Sequence, residues 1–307
     1  MKVFHWIEAH FWAFLLFAML FGLLVPLPTE QLLPLLKPEL MLTLLLIFLK
    51  IDVIQILERI KDYRLMLYLC ISFLLLTPLV FYGVFSLWDA ELAMGVLLLT
   101  AMPAGTSAPV LVDILKGNAS LAMSITILTS LLAPFTLPLL FHFLIEDAVA
   151  INHWSLFWDA ATMIFIPMVA SIIIKPMFPR FIKKALPSFT AINIIILFAI
   201  VVTSFGSQRQ TIMANPLALF WDIMWMYLVF TLLHIVGYLL AFGLSREEKI
   251  AVVTERAYMN SGLAIVLAAN FFPPYVLVLM VISEIPWSTM LIPLRWLIRN
   301  TSLGHPK

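Results

Sequence analysis

Long apolar runs separated by short polar breaks define this chain. The runs are roughly twenty residues long, the length a helix needs to cross a hydrocarbon layer, and they lack the strict alternation of a membrane-barrel strand. Lipid cannot hydrogen-bond to exposed backbone, so such runs must be helices. The pattern predicts spans near 10–27, 33–49, 65–87, 92–116, 118–145, 154–175, 187–207, 215–244, 248–271 and 274–298. The first run follows an early lysine, Lys2, and has no small-residue cleavage site, so it is read as a retained span.

Two runs are broken in the middle, the fourth and the ninth. The fourth reads "AMGVLLLTAMPAGTSAPVLVDILKGN", with Pro103, Gly105 and Pro109 near its centre. Proline removes a backbone donor and clashes with the preceding turn, so the helix cannot run through. Ser107 followed by Pro109 predicts a restart, a cap and then a proline in the first turn. The ninth reads "IAVVTERAYMNSGLAIVLAANFF", where Asn260 or Ser261 can cap a second half-helix and Gly262 relaxes the backbone. Ten spans with matching breaks divide as five and five, and an odd number per half inverts one half against the other. The fold expected is therefore an all-α polytopic membrane protein. It would have ten transmembrane helices in two inverted five-helix repeats (about 1–146 and 147–307), with discontinuous crossing helices 4 and 9.

Composition supports the membrane reading. The 307 residues are 63% hydrophobic and 11% charged with a net charge of +1, against about 25% charged in soluble domains. No basic stripe suits nucleic acid. The single Cys70 lies in an apolar run and excludes a disulfide framework. The basic breaks 50–64 and 175–184 alternate with the acidic breaks 86–91 and 146–153. With the basic side inside, 15 of the 18 Lys and Arg are cytoplasmic, only Lys37 and Arg209 are outside, and Arg256 is within a span. That asymmetry predicts both termini in the cytoplasm, with a bacterial inner membrane as the setting. A Trp-Asp pair recurs at the outer edge as Trp88–Asp89, Trp158–Asp159 and Trp221–Asp222. The rings suit the headgroup boundary, and each carboxylate is expected in or before a first helical turn.

Candidate chemistry gathers at the breaks. Half-helix N-termini offer bare N–H groups to a carboxylate or sulfonate, while unwound carbonyls and Glu255 offer oxygens to a hard cation. Adjacent Glu255 and Arg256 point about 100° apart on a helix and need not pair. Candidate partners for Arg256 are Glu284 in the tenth span and Asp113 in the fourth, while a direct contact with an anionic substrate is the competing role. Asp113 is also placed to pair locally with Lys116. Glu284 is either the Arg256 partner or a titratable coupling group, at a bend expected near Ile285–Pro286. His234 is expected to be packed and hydrogen-bonded. No Walker loop, HExxH or ordered triad is present, so no enzymatic activity and no cofactor are expected.

The stretches "GTSAPVLVDILKGNASLAMSITILTSLLAP" (105–134), "ERAYMNSGLAIVLAANF" (255–271) and "FLKIDVIQILERIKDYR" (48–64) resemble the bile acid:sodium symporter family. The resemblance implies a panel of spans 1, 2, 6 and 7 and a core of spans 3, 4, 5, 8, 9 and 10, with a small organic anion carried by alternating access between them. It also implies two sodium ions behind the crossing, with Glu255 serving both and Thr126 the first. Thr106 and Asn260 would line the substrate cleft at the crossing, and Ser261 beside them is a further candidate to meet the solute.

The chain departs from that pattern at Ala108–Pro109, Ala122, Met259 and Phe73, each replacing a side-chain oxygen where a hard cation needs one. Arg256 adds a fixed positive charge nearby. At an effective dielectric near 20, two unit charges roughly 4–6 Å apart repel by about 3–4 kcal/mol, on the order of a 100-fold loss in sodium affinity. The reading is a secondary transporter of organic anions with altered or lost sodium coupling. An ordinary sodium-coupled symporter of bile-acid-like, carboxylate or sulfonate solutes is the first alternative, and a non-transporting receptor or scaffold the second.

Overall fold

The computed structural model describes residues 11–51, 62–145 and 152–300. Expectations for 52–61 and 146–151, within the first basic break and the second acidic one, lie outside the described residues. Among the described residues every regular element is helical, and the one strand-like feature is a single antiparallel bridge between Ala104 and Met259. Among the described residues seven helices are long and apolar enough to cross a membrane, and shorter apolar helices accompany them. The chain is an integral membrane protein.

Contacts divide it into two units. The first comprises Met1–Val53 and Asp159–Leu219. It holds α1 (Phe11–Leu24), α2 (Thr29–Lys50), most of α7 (His153–Met177), α8 (Pro179–Ser207) and α9 (Arg209–Ala214). The core of this unit is α8 packed on α1 and α2. Phe14, Phe17 and Phe21 of α1 meet Phe198 of α8, and Gly22 lets the α8 backbone come close, since a Cβ there would stand 2.5 Å from Val202 O. Arg209 Nε donates to Leu23 O at 2.8 Å, covering a carbonyl that the end of α1 leaves without an in-helix donor.

The second unit comprises Ile54–Trp158 and Phe220–Lys307. It contains α3 (Tyr63–Phe85), α4 (Ala90–Ala101), α5 (Ala108–Ile114), α6 (Ala119–Ile145), most of α10 (Pro216–Leu240), α11 (Arg246–Ala257), α12 (Ser261–Phe271), α13 (Pro274–Ile282), α14 (Glu284–Thr289) and α15 (Leu291–Asn300). Here α4 is enclosed by α3, α13 and α12, and α11 lies against α5 and α6. Residues 92–101 of α4 and 276–282 of α13 are buried on every side, which explains why neither shows an amphipathic stripe. Caps are read directly from the sequence. Asp62 accepts from Leu65 N, Asn118 from Leu121 N, and Ser245 and Glu248 form a reciprocal box at the start of α11.

Three expectations need correction. The basic stretch 175–184 is not a loop, because α7 continues to Met177 and α8 begins at Pro179, a first helical position where the missing N–H costs nothing. Of the three Trp-Asp pairs only Asp89 caps a helix, accepting from Leu92 N at 2.7 Å. Asp159 and Asp222 sit inside α7 and α10, because those helices begin earlier, at His153 and Pro216. There Asp159 takes Lys37 Nζ at 2.7 Å and Asp222 takes the Tyr275 hydroxyl at 2.7 Å. The eighth span stops at Leu240, followed by a turn whose Gly243 has a φ of +81°. The tenth run does bend, at Ser283 between α13 and α14 and again at Met290.

Candidate ion and substrate site at the paired helix breaks

Both predicted interruptions exist, and they are joined to each other. Between α4 and α5 the chain uncoils over 102–107, and between α11 and α12 over 258–260. Gly105 N donates to Tyr258 O at 2.8 Å, and Asn260 N donates to Pro103 O at 2.9 Å. Each break thus supplies the backbone partners that the other lost. Gly105 is required by this closeness, since a Cβ would lie 2.5 Å from Tyr258 O and 2.9 Å from Met259 O. Asn260 caps α12 through Leu263 N at 3.1 Å. Ser107 holds the corresponding position ahead of α5, but its side chain makes no capping bond, and its carbonyl takes Val110 N and Leu111 N instead.

Helix α6 packs on α5 and α11 beside the paired breaks and brings a row of hydroxyls. Thr126 Oγ1 donates to Glu255 Oε2 at 2.7 Å, and Thr129 Oγ1 receives Ala104 N at 3.1 Å. Glu255 is fully buried, and its other oxygen, Oε1, has no partner among the described residues. Glu255 and Thr126, which the resemblance implied as ligands of one sodium ion, are hydrogen-bonded to each other here.

Arg256 turns the other way, and neither Glu284 nor Asp113 holds it. Its Nη2 donates to Thr100 O at 2.8 Å, a longer 3.5 Å contact runs from Nη1 to Phe73 O, and Cζ stands 5.3 Å from the centre of the Phe73 ring. Broken backbone explains both carbonyls. Thr100 O would take Ala104 N in a continuous helix, but that N–H goes to Thr129. Phe73 lies in a π turn over Ser72–Leu76, where the Thr77 N–H closes on Ser72 O, and Pro78 has no N–H to offer. A guanidinium presents five donors in a planar fork and stacks on aromatic faces, so it suits two stranded carbonyls beside a ring.

The other predicted residues divide. Thr106 is half-buried in the uncoiled turn. Ser261 and Asn260, 7% and 8% exposed, start α12. Ser261 stands close enough to Glu284 to interact, although neither Glu284 oxygen meets hydrogen-bond geometry. Asp113 is exposed near the end of α5 and forms no ion pair with this cluster among the described residues. Its anticipated pair with Lys116 does not form among the described residues, because the helix ends at Ile114 and Lys116 takes a left-handed φ of +62°, losing the one-turn spacing. His234 is packed as expected, with Nδ1 2.7 Å from Phe230 O and its ring edge-on to Tyr258. Sequence reasoning missed Thr100 and Thr129. The spacing of Thr126 and Thr129 in an apolar helix, three apart and so on one face, was the available signal for Thr129.

Residues 13–215 match the family model for the Sodium Bile acid symporter family. The chain belongs to that family. It is also 27% identical over 205 residues to the "Uncharacterized sodium-dependent transporter YocS" of Bacillus subtilis (strain 168), across 64% of this chain and 62% of that protein. The matched region thus spans less than two thirds of that relative. The family match takes in the first break, α6 and Thr126, and ends ahead of Glu255, Arg256, Asn260 and Glu284. In this member of the Sodium Bile acid symporter family, the second break is brought to the first by the backbone bonds of the structure.

Proposed function

We propose that the protein is a secondary transporter that carries a small organic anion by alternating access, with its sodium coupling altered or lost. The observation that carries this reading is the bonded pair of helix breaks. Uncoiled backbone within an apolar bundle is tolerated where protein buries it or where it lines a path for a polar solute. Taking α4 with α5 and α11 with α12 as single interrupted spans, and α1 as a further one, extends the seven long helices to ten. Five spans per inverted half, breaks in the fourth and ninth, and cytoplasmic termini follow in this reading. Thr106, Asn260 and Ser261 supply the hydroxyl and amide groups for the anion, beside the positive end of α12.

Altered coupling rests on Arg256. Its guanidinium already fills the stranded carbonyls of Thr100 and Phe73, oxygens of the kind a mobile monovalent cation would use. Arg256 then acts through its fixed charge and not by touching the solute. The competing reading, an ordinary sodium-coupled symporter, draws on the unpartnered Oε1 of Glu255 beside Thr126 and on the printed name of the Bacillus relative.

Uptake into proteoliposomes decides between them, with a labelled bile acid, pantoate and taurine as probes. We expect uptake of at least one probe to be unchanged when choline replaces sodium, and to be lost in Arg256→Ala. A steep dependence on two sodium ions would establish the ordinary symporter instead. Absence of uptake or ligand stabilisation with every probe would favour a receptor or scaffold.

A further inference from the structure

Glu284 opens α14, is 1% exposed, and has two oxygens that find no hydrogen-bond partner among the described residues. No described cation forms an ion pair with it. The groups around it are few. Helix α13 is apolar apart from Tyr275 at its far end, and α15 carries Arg295 and Arg299, both exposed. On the linker, Tyr258 is buried with an unpartnered hydroxyl and lies edge-on to Trp287, whose Nε1 donates to Met259 O at 3.3 Å. His234 faces that same tyrosine. Glu255 and Arg256 of α11 are engaged elsewhere, with Thr126 and with Thr100 and Phe73. Only Ser261, the first residue of α12, comes within interaction range.

A sealed carboxylate without a counter-charge is too costly to persist, so Glu284 holds either a metal cation or a proton. A hard cation takes a shell of several oxygens. The neighbours of Glu284 on α14 are Ile285, Pro286 and Trp287, the Ser288 hydroxyl one turn on donates to Ile285 O at 3.0 Å, and Ser261 brings the one hydroxyl within interaction range. A proton needs only one oxygen. Asn260, Ser261 and Ser288 keep a residual 7–8% exposure, while Ile282 and Ser283 are sealed at 1% and 0%. Ser288 lies one turn after Glu284 and therefore on the same face.

We propose that Glu284 is a proton-binding site distinct from the Glu255–Thr126 pair, exchanging its proton on the side of Ser261 and Ser288, and that its loading is linked to transport. The linkage rests on the transporter reading above, whereas the proton site does not. In the loaded form the carboxylic acid donates to Ser261 Oγ. On unloading, the proton passes to water, and the carboxylate faces the Ser261 hydroxyl and the positive end of α12. One face thus serves both forms, as a carrier requires.

Infrared difference spectroscopy on the purified full chain tests this without any solute. Between acid and alkaline pH the wild type should lose a carboxylic-acid C=O band that is absent in Glu284→Gln and retained in Glu255→Gln. Ser261→Ala should keep the band and move its frequency, which guards against a Glu284→Gln that fails to fold. A wild-type spectrum reproduced by Glu284→Gln overturns the proposal, as does removal of the band by sodium at constant pH, which would make Glu284 a metal ligand. In proteoliposomes, an imposed pH gradient should drive uptake of a carried probe in the wild type and not in Glu284→Gln, with downhill exchange of the probe retained in both. Uptake indifferent to the gradient overturns the linkage. A failed infrared result leaves the transporter reading standing, and failure of every probe sinks that reading while the band still stands.

Discussion

Gly105→Ala should prevent stable folding, while Gly83→Ala should be harmless. The added Cβ at 105 would lie 2.5 Å from Tyr258 O, 2.9 Å from Met259 O and 3.1 Å from Met259 C, all backbone atoms that cannot swing aside. Relief would mean separating the two breaks and losing the bonds from Gly105 N to Tyr258 O and from Asn260 N to Pro103 O. The cost is expected at or above ~3 kcal/mol, the upper part of the range for an added methyl in a packed interior, because stranded buried backbone adds to the overlap. At Gly83 of α3 a Cβ meets nothing within 4 Å. Alanine there should be neutral or stabilising by up to about 1 kcal/mol, its ordinary advantage over glycine in a helix. Thermal unfolding of the two variants in detergent, with the monodisperse yield, is the measurement. Equal melting temperatures would mean that the breaks are not held together as described.

Arg256→Ala should destabilise the protein and make it respond to sodium. Truncation strands Thr100 O and Phe73 O inside the unit, at about 1–3 kcal/mol for each buried acceptor left without a donor. Removing a charge that is itself costly to bury offsets part of this, so a net loss of about 2–4 kcal/mol is expected in sodium-free buffer. The vacated space is walled by carbonyl oxygens and the Phe73 ring, which suits a small hydrated cation. Sodium should then raise the melting temperature of Arg256→Ala and leave the wild type where it was. Arg256→Lys should recover little of the stability, because one ammonium cannot span both carbonyls and the ring as the planar fork does. A variant as stable as the wild type, or an equal sodium response in both, would remove Arg256 from its role as a tethered cation.

The helices were legible because lipid allows so few solutions. A run of about twenty apolar residues must satisfy its own backbone, and local composition alone shows where such runs lie. The breaks were legible too, since Pro103 beside Gly105 marks the first, Pro109 suits the first turn of α5 and Asn260 is a strong cap, although proline alone did not mark them, because α6 runs through Pro134 and Pro138. Local pattern failed where an apolar or charged stretch could be either end or interior. Asp159 and Asp222 look like caps until the helices are seen to start earlier, and the basic stretch 175–184 looks like a loop until Pro179 is seen to open a helix.

Sequence by itself determined that this is a helical membrane protein of the Sodium Bile acid symporter family, with two interrupted runs and an unusual Glu255–Arg256 pair, because those properties depend on composition, proline and short-range spacing. Only the tertiary structure decided the partners. Arg256 goes to carbonyls of residues 73 and 100, Thr129 closes the first break, and Glu284 is left facing Ser261. A carbonyl carries no mark in the sequence that says whether it is free. It becomes free when a proline or a turn elsewhere removes its donor, and which side chain reaches it depends on how distant helices pack.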